Sequence, residues 1–199
     1  MNFTDTLQTP NLTQKLKSVQ AIMLHHTGPN PPGTNPYQFF RDDCFMNPNE
    51  IVSVHYLVGK EGECAKLAND LDRTNHCGYG RELTLTSGFT IPNNIRNHKD
   101  YGLCSGLGND YCIGIEIVNE GDNKDPFTEA QYDTLDNLIA YLRGIHGNVP
   151  IIDHKMYDRG NINKKSQGKH DMEANFDLDT YIKWGRKKII VPLVPICGL

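Results

Sequence analysis

The sequence predicts an α/β fold, a single domain in which helices flank one mixed β-sheet. Short apolar segments rich in Val and Ile alternate with a strongly amphipathic segment, which favours strands packed against helices. A tight hairpin is also predicted, because residues 51–59 and 64–67 flank a turn at residues 60–63. A tight hairpin requires an antiparallel pair, so the sheet cannot be entirely parallel.

Three further strands and three helices are expected along the chain. The strands are predicted at residues 19–24, 111–118 and 149–152. The clearest helix follows Thr128, which has capping-box spacing to Gln131. Its apolar face is predicted to comprise Leu135, Leu138, Ile139, Leu142 and Ile145, and Gly147 is expected to end it. Shorter helices are predicted at residues 36–44 and 176–188.

The length of 199 residues and the ordinary composition suit one domain. We expect an N-terminal extension at residues 1–18, the main domain at residues 19–188 and a C-terminal tail at residues 189–199. Residues 79–109 form a long insertion with little periodicity, and loops of that length in compact domains are usually either functional or disordered.

Composition argues against two classes of partner. The net charge is -4 and no long basic run occurs, so nucleic-acid binding is not expected. No apolar stretch reaches the roughly 18 residues that a membrane span needs. Residues 1–17 are polar and lack the apolar core of a secretory signal, which predicts cytoplasmic synthesis. The six cysteines include no CxxC pair and are expected to be mostly free thiols.

Two histidine positions follow predicted strands and could ligate a metal. His25 and His26 are sequence neighbours, so only one of them can readily face a given site. His154 follows another strand, and Asp171 lies further along the chain. Two imidazoles and one carboxylate form a common catalytic zinc set. The alternative is that the histidines belong to turns and that Asp171 belongs to a polar surface loop.

Glu116 lies inside a predicted buried strand, on the face opposite Ile115 and Ile117. A buried carboxylate is costly unless it is paired or hydrogen-bonded. At a cleft, such a residue is a candidate general base. The alternative is an ordinary solvent-facing residue on a half-exposed strand.

Six motifs, in this order, resemble those of the zinc-dependent N-acetylmuramoyl-L-alanine amidases. That family includes phage amidase lysozymes, peptidoglycan recognition proteins and the recycling amidase for anhydromuropeptides. The motifs are AIMLHHT at 21–27, VSVHYLV at 52–58 with Gly62, NHCG at 75–78, NDYCIGIEIVN at 109–119, FTEAQY at 127–132, and His154 followed by KHD at 169–171 and FD at 176–177. The resemblance covers roughly residues 19–184 and implies the family's mixed sheet with helices on its faces.

The resemblance also implies a site. His25, His154 and Asp171 would be the zinc ligands, as in the branch of the family that uses aspartate at the third position. Glu116 falls at that branch's catalytic glutamate, and Lys169 falls at its oxyanion-stabilising lysine. His170 is an alternative third ligand, because imidazole also binds zinc. The residues expected near the substrate are His76, His55 and Asn119.

The sequence departs from the family pattern in four places, one of which is the length of the segment at residues 79–109. Met172-Glu173 stand where Pro-Gly is usual, and the loop between His154 and Lys169 is longer than expected. Val54 stands where some phage members carry a catalytic tyrosine, which favours the glutamate-based mechanism.

The expected activity is hydrolysis of the amide between N-acetylmuramic acid and L-alanine, with one Zn²⁺ per chain. The substrate would be intact peptidoglycan, reached after lysis or delivery, or muropeptides in the cytoplasm. Phage lysis, recycling and antibacterial roles all fit this expectation. The alternatives are a non-catalytic peptidoglycan-binding module and a zinc amidase that acts on another acyl-amide.

Overall fold

A computed structural model describes residues 1–12, 14–78, 80, 82–92, 107–157 and 176. In this part of the chain the strands are β1 (Asp5–Thr6), β2 (Gln14–Lys15), β3 (Ala21–His26), β4 (Tyr56–Val58), β5 (Cys64–Lys66), β6 (Asp72–Arg73), β7 (Leu83–Thr84), β8 (Thr90–Ile91), β9 (Cys112–Ile117) and β10 (Ile151–Asp153). The helices are α1 (Pro36–Gln38), which continues as a π-helix over Phe39–Phe45, α2 (Glu129–His146) and α3 (His154–Tyr157). Leu107–Asp110 forms a 3₁₀ turn.

A mixed sheet forms the centre of the molecule, with six strands in the order β1-β5-β4-β9-β3-β10. β9 runs parallel to both of its neighbours, β3 and β4. β10 pairs in parallel with β3, and β5 returns antiparallel to β4 as the predicted hairpin. The predicted fold class, a mixed sheet flanked by helices, is therefore confirmed.

Residues 1–18 take part in this architecture. β1 pairs with β5 in the main sheet, and Leu16 and Phe3 pack with the core beneath α2. These residues, predicted to be an extension, therefore contribute to the sheet.

The two faces of the sheet have different partners, as strand alternation requires. On one face, alternate apolar residues of the central strands pack against α2; they include Ile22, Leu24, Ile113, Ile115 and Ile117. The intervening residues lie on the opposite face, which we call the site face; on β3 they are Ala21, Met23 and His25, and on β9 they are Cys112, Gly114 and Glu116.

The amphipathic helix is confirmed as α2, with both hydrogen bonds of the capping box formed between Thr128 and Gln131. Four of its five predicted core residues are buried, but Ile145 is 53% exposed, so its placement in the core was wrong. The last turn instead directs His146 towards the Asp70 carboxylate, 2.9 Å away. Gly147 follows the helix at φ 80°, a left-handed conformation that favours glycine.

The observed strand boundaries differ from the predicted ones, most clearly for the strands predicted at residues 51–59 and 19–24. Of residues 51–59, only Tyr56–Val58 form a strand, because the preceding segment bonds to loops: Asn11 donates to the carbonyl of Val52, and the Ser53 amide donates to that of Asn75. The strand predicted at 19–24 is observed as Ala21–His26, so it includes His25 and His26. The helix predicted at 176–188 and the tail at 189–199 lie outside the described residues, apart from Phe176.

Three cysteines of the described region, Cys44, Cys64 and Cys112, carry free thiols. Burial raises the pKa of Cys44 to about 11 and that of Cys64 to about 12, so both thiols stay protonated at neutral pH. Cys104 and Cys197 lie outside the described residues. Among the described helices, none combines the length and the apolar character that crossing a membrane requires.

Candidate functional site

His25 and Glu116 are neighbours on the site face. The β3–β9 register pairs His25 directly with Glu116, and residues in register on adjacent parallel strands point to the same side. His25 is only 1% exposed, whereas Glu116 is half-buried. The structure therefore brings together the predicted metal ligand and the predicted base.

His154 reaches the same place from the edge strand. β10 pairs with β3 so that Asp153 lies opposite Leu24, and His154 follows as the first residue of α3. Its Nδ1 lies 3.1 Å from His25 Nδ1, although the two residues are 129 positions apart. His154 is 2% exposed.

The spacing of these two nitrogens fits a shared zinc ion. Tetrahedral zinc with Zn–N bonds of about 2.0–2.1 Å holds two imidazole nitrogens about 3.3 Å apart. The His25 and His154 nitrogens are 3.1 Å apart, with the ring planes inclined at 72°. Two such nitrogens are suitable zinc donors, and a tetrahedral ion bound to both would have two further coordination positions for a carboxylate and a water.

Three predicted members of the site lie in the segment between His154 and Phe176. Asp171, Lys169 and the alternative ligand His170 lie outside the described residues, so their roles stay predictions. Within residues 1–12, 14–78, 80, 82–92, 107–157 and 176, no three His, Cys, Asp or Glu side chains form a group that could hold a metal. The described part of the chain thus supplies a pair of donors.

His76 lies against His25 on the side away from His154. Its Nδ1 is 2.9 Å from His25 Nε2, and its Nε2 donates to the carbonyl oxygen of Cys112 at 3.2 Å. Burial, and then the neighbouring His25, His55 and His154, hold the pKa of His76 well below its usual range. Both ring nitrogens of this predicted substrate contact are therefore engaged within the protein.

His55, also predicted to lie near the substrate, is fully buried between strands. Its Nδ1 accepts from the Gly114 amide at 3.0 Å, and its Nε2 donates to the Asp72 carbonyl at 2.8 Å. Thr74 Oγ1 lies 3.0 Å from the same Nδ1. This arrangement favours a structural role, because it connects β9 to the segment around β6.

Asn119 is likewise buried by the loop that follows β9. Its side-chain amide donates to the Asp125 carbonyl at 2.8 Å, and its Oδ1 accepts from the Gly121 amide at 2.9 Å. Its position at the carboxyl end of β9 suits the rim of the site, but these bonds hold the loop at residues 119–127.

Two residues that shape the site were missed in the sequence. Asn109 holds the backbone at His76 and Cys77, because its Oδ1 accepts from both amides at 3.1 and 2.9 Å. Gly114 leaves space for the His76 ring, since a Cβ there would lie 2.5 Å from His76 Cγ. A glycine inside a strand commonly marks such a close approach, so Gly114 was the available signal.

Burial of His55 predicts a loss of stability in acid. Burial lowers the pKa of His55 to about 4 from its ordinary 6.5. In the unfolded chain, the His55 side chain binds a proton as the pH falls below 6.5. In the native protein, the same side chain stays neutral until the pH falls to about 4. The free energy of unfolding should therefore fall by about 3 kcal/mol between pH 7 and pH 4 on account of this residue.

Urea unfolding at pH 7, 5.5 and 4 measures this contribution when wild type is compared with His55→Gln, which cannot titrate. We expect the variant to be less stable at pH 7 and to lose about 3 kcal/mol less than wild type on acidification. Equal losses in both proteins would contradict the assignment to His55.

The family described as N-acetylmuramoyl-L-alanine amidase matches residues 15–171, most of the chain. The chain belongs to this family. The match covers the described site residues and extends to Asp171.

Individual relatives agree with this membership. The 1,6-anhydro-N-acetylmuramyl-L-alanine amidase AmpD of Haemophilus influenzae is 33% identical over 87 residues, which is 44% of this chain and 35% of that protein. The match thus spans about a third of the relative's length.

Solved structures share the fold of this amidase family. A crystal structure of an AmpD derivative has a TM-score of 0.60 at 18% identity and covers 91% of this chain and 93% of that one. The endolysin N-acetylmuramoyl-L-alanine amidase LysCS from Clostridium intestinale has a TM-score of 0.54 at 14% identity, covering 94% and 97%. At these identities the likeness concerns the fold.

Proposed function

We propose that this protein is a zinc-dependent N-acetylmuramoyl-L-alanine amidase that hydrolyses the amide between N-acetylmuramic acid and L-alanine in peptidoglycan or muropeptides. The single observation that carries the proposal is the convergence of His25 and His154, whose Nδ1 atoms lie 3.1 Å apart beside Glu116. Family membership supplies the substrate class. The similarity to a 1,6-anhydro-N-acetylmuramyl-L-alanine amidase, AmpD of Haemophilus influenzae, supports the same substrate class.

His25, His154 and Asp171 would hold the zinc ion. When bound, the metal supplies a Lewis acid and lowers the pKa of a coordinated water towards about 7. Asp171 is the third ligand in this site because its spacing from Lys169 and Phe176 along the sequence resembles the family's closing motif.

Glu116 acts as the general base in this proposal. Its carboxylate accepts a proton from the attacking water as the oxygen adds to the amide carbon. When the carbon–nitrogen bond breaks, Glu116 returns the proton to the departing L-alanine amine. The position of Glu116 in β9 suits this task, because strand pairing places Glu116 directly beside the proposed ligand His25.

Lys169 stabilises the negative charge on the tetrahedral oxyanion. Loss of one such donor costs about 3 kcal/mol of transition-state stabilisation. Its position two residues before Asp171 would place it beside the metal ligand.

Digestion of defined muropeptides, read by mass spectrometry, tests the proposed function. We expect two products, a free N-acetylmuramic acid and a peptide that begins with the free amine of L-alanine. Removal of metal with a chelator should reduce cleavage to background, and added Zn²⁺ should restore it. Cleavage of purified cell wall, run in parallel, distinguishes intact wall from soluble fragments as substrate.

Two outcomes would overturn the proposal. Tight muropeptide binding without cleavage by the zinc-loaded protein would indicate a non-catalytic binding module. Cleavage of a different acyl-amide, with the muramoyl bond left intact, would indicate an amidase of other specificity.

A further inference from the structure

We propose that His76 is a positioning residue for the metal ligand His25: its Nδ1 accepts the Nε2–H of His25 and so turns the lone pair of His25 Nδ1 towards the metal. This inference rests on the proposed function, since it concerns the same metal site. It assigns to His76 a role other than the substrate contact expected from the sequence.

The direction of each hydrogen bond follows from the carbonyl at the end of the chain of contacts. The Cys112 carbonyl oxygen can only accept, so His76 Nε2 carries the proton in that bond. A ring protonated on Nε2 alone presents a lone pair on Nδ1. His25 Nε2, 2.9 Å away, must then donate, which leaves the lone pair of His25 on Nδ1.

That lone pair points where a ligand needs it. His25 Nδ1 is the atom that lies 3.1 Å from His154 Nδ1. Metal-binding histidines almost always donate their other ring N–H to a protein acceptor, which fixes the tautomer and the ring orientation. His76 occupies that acceptor position.

The Cys112 carbonyl can accept a hydrogen bond from His76 because the pairing between β4 and β9 does not extend to Cys112. β4 pairs with β9 only from Ile115 onwards, and the Gly114 carbonyl accepts from the His55 amide at 3.2 Å. Cys112 lies before this paired stretch of β4 and β9. The His76 ring therefore satisfies a strand carbonyl that β4 does not reach.

The position of His76 is fixed by contacts on separate sides of the residue. Asn109, which is fully buried, accepts from the amides of His76 and Cys77 and donates to the Cys77 carbonyl at 2.8 Å. The ring itself lies over Gly114, in space that any Cβ would occupy. A rigidly held acceptor is what ligand positioning requires.

Two amide substitutions separate the positioning role from a purely structural one. In His76→Asn, the side-chain oxygen can stand near the former Nδ1 and still accept from His25. In His76→Gln, the side-chain amide can stand near the former Nε2, so the contact with Cys112 is kept and the acceptor for His25 is lost. His76→Ala removes both contacts.

Zinc dissociation constants, measured by competition with a chelator, give the first readout on the full chain. We expect His76→Gln and His76→Ala to bind Zn²⁺ about 10- to 100-fold more weakly than wild type, and His76→Asn to stay close to wild type. If His76→Gln kept wild-type zinc affinity and His76→Asn lost it, His76 would have a structural role through Cys112, and the inference would be overturned. Equal zinc affinity in all four proteins would also overturn it.

The ¹⁵N shifts of the His25 ring give a second readout that needs no metal. In the metal-free wild type we expect the Nε2–H tautomer, and in His76→Gln a mixture of both tautomers. A predominant Nδ1–H tautomer in wild type would contradict the inference. A wild type that shows the expected tautomer and binds zinc but cuts no muropeptide would overturn the proposed function alone.

Discussion

Replacing His25 with alanine is expected to abolish zinc binding and amidase activity together. His25 Nδ1 is one of two nitrogens, 3.1 Å apart, that would hold the metal, so its loss leaves one imidazole and one carboxylate. Mutation of a residue that only hydrogen-bonds to a metal ligand typically weakens metal binding about 10- to 100-fold. Loss of a ligand itself should therefore weaken zinc binding by more than that. Metal content after dialysis and cleavage of muropeptides measure the two effects.

The matched control for this change is His26→Ala. His26 is the adjacent residue on the same strand, and alternation directs it away from the site face. Its ring lies instead by the loop at Gly121, where a Cβ would come within 2.2 Å of His26 Cε1. We expect this variant to retain zinc. If His26→Ala lost the metal and His25→Ala kept it, the ligand assignment would be reversed.

Replacing Glu116 with glutamine is expected to lower kcat by about 100- to 10,000-fold while zinc stays bound. Glutamine keeps the shape and some of the hydrogen bonding of glutamate, but it cannot accept the proton of the attacking water. The metal ligands are unchanged, so the zinc dissociation constant should move little. Steady-state cleavage of a defined muropeptide and metal content of the same sample provide both measurements.

Glu120→Gln provides the control for Glu116, because it makes the same chemical change at an exposed residue beyond the end of β9. We expect it to retain wild-type turnover. A Glu116→Gln variant that worked at a near wild-type rate would exclude Glu116 as the base. Loss of zinc from that variant would instead show that Glu116 supports the metal.

Much of the fold could be predicted because local patterns decided it. The Thr128 and Gln131 spacing marks the start of α2, and alternation along β9 separates Ile115 and Ile117 from Glu116. The strand that ends near His25 was recognisable from its apolar run. In each case residues close in sequence carry the information, so no knowledge of distant contacts was needed.

Features that depend on distant contacts were not predictable. Whether His55 meets substrate or core is decided by Gly114 and Asp72, each on a different segment. His76 was expected beside the substrate because its neighbours along the chain give no sign that its ring packs on His25, 51 positions earlier. β4 is shorter than predicted for the same reason. The residues before it form hydrogen bonds with Asn11 and Asn75, which are distant in sequence.

β10 lies at the edge of the described sheet, and this position sets the order in which the proposed metal centre could be built. β3 lies near the beginning of the chain, yet its only described neighbour on the outer side is β10, which follows α2. A growing polypeptide that has not yet produced residues 151–154 has His25 without His154. If zinc binds as proposed, its capture by both imidazoles would have to wait until a three-residue strand made late in synthesis docks on the sheet, and the bound ion would hold that strand in place.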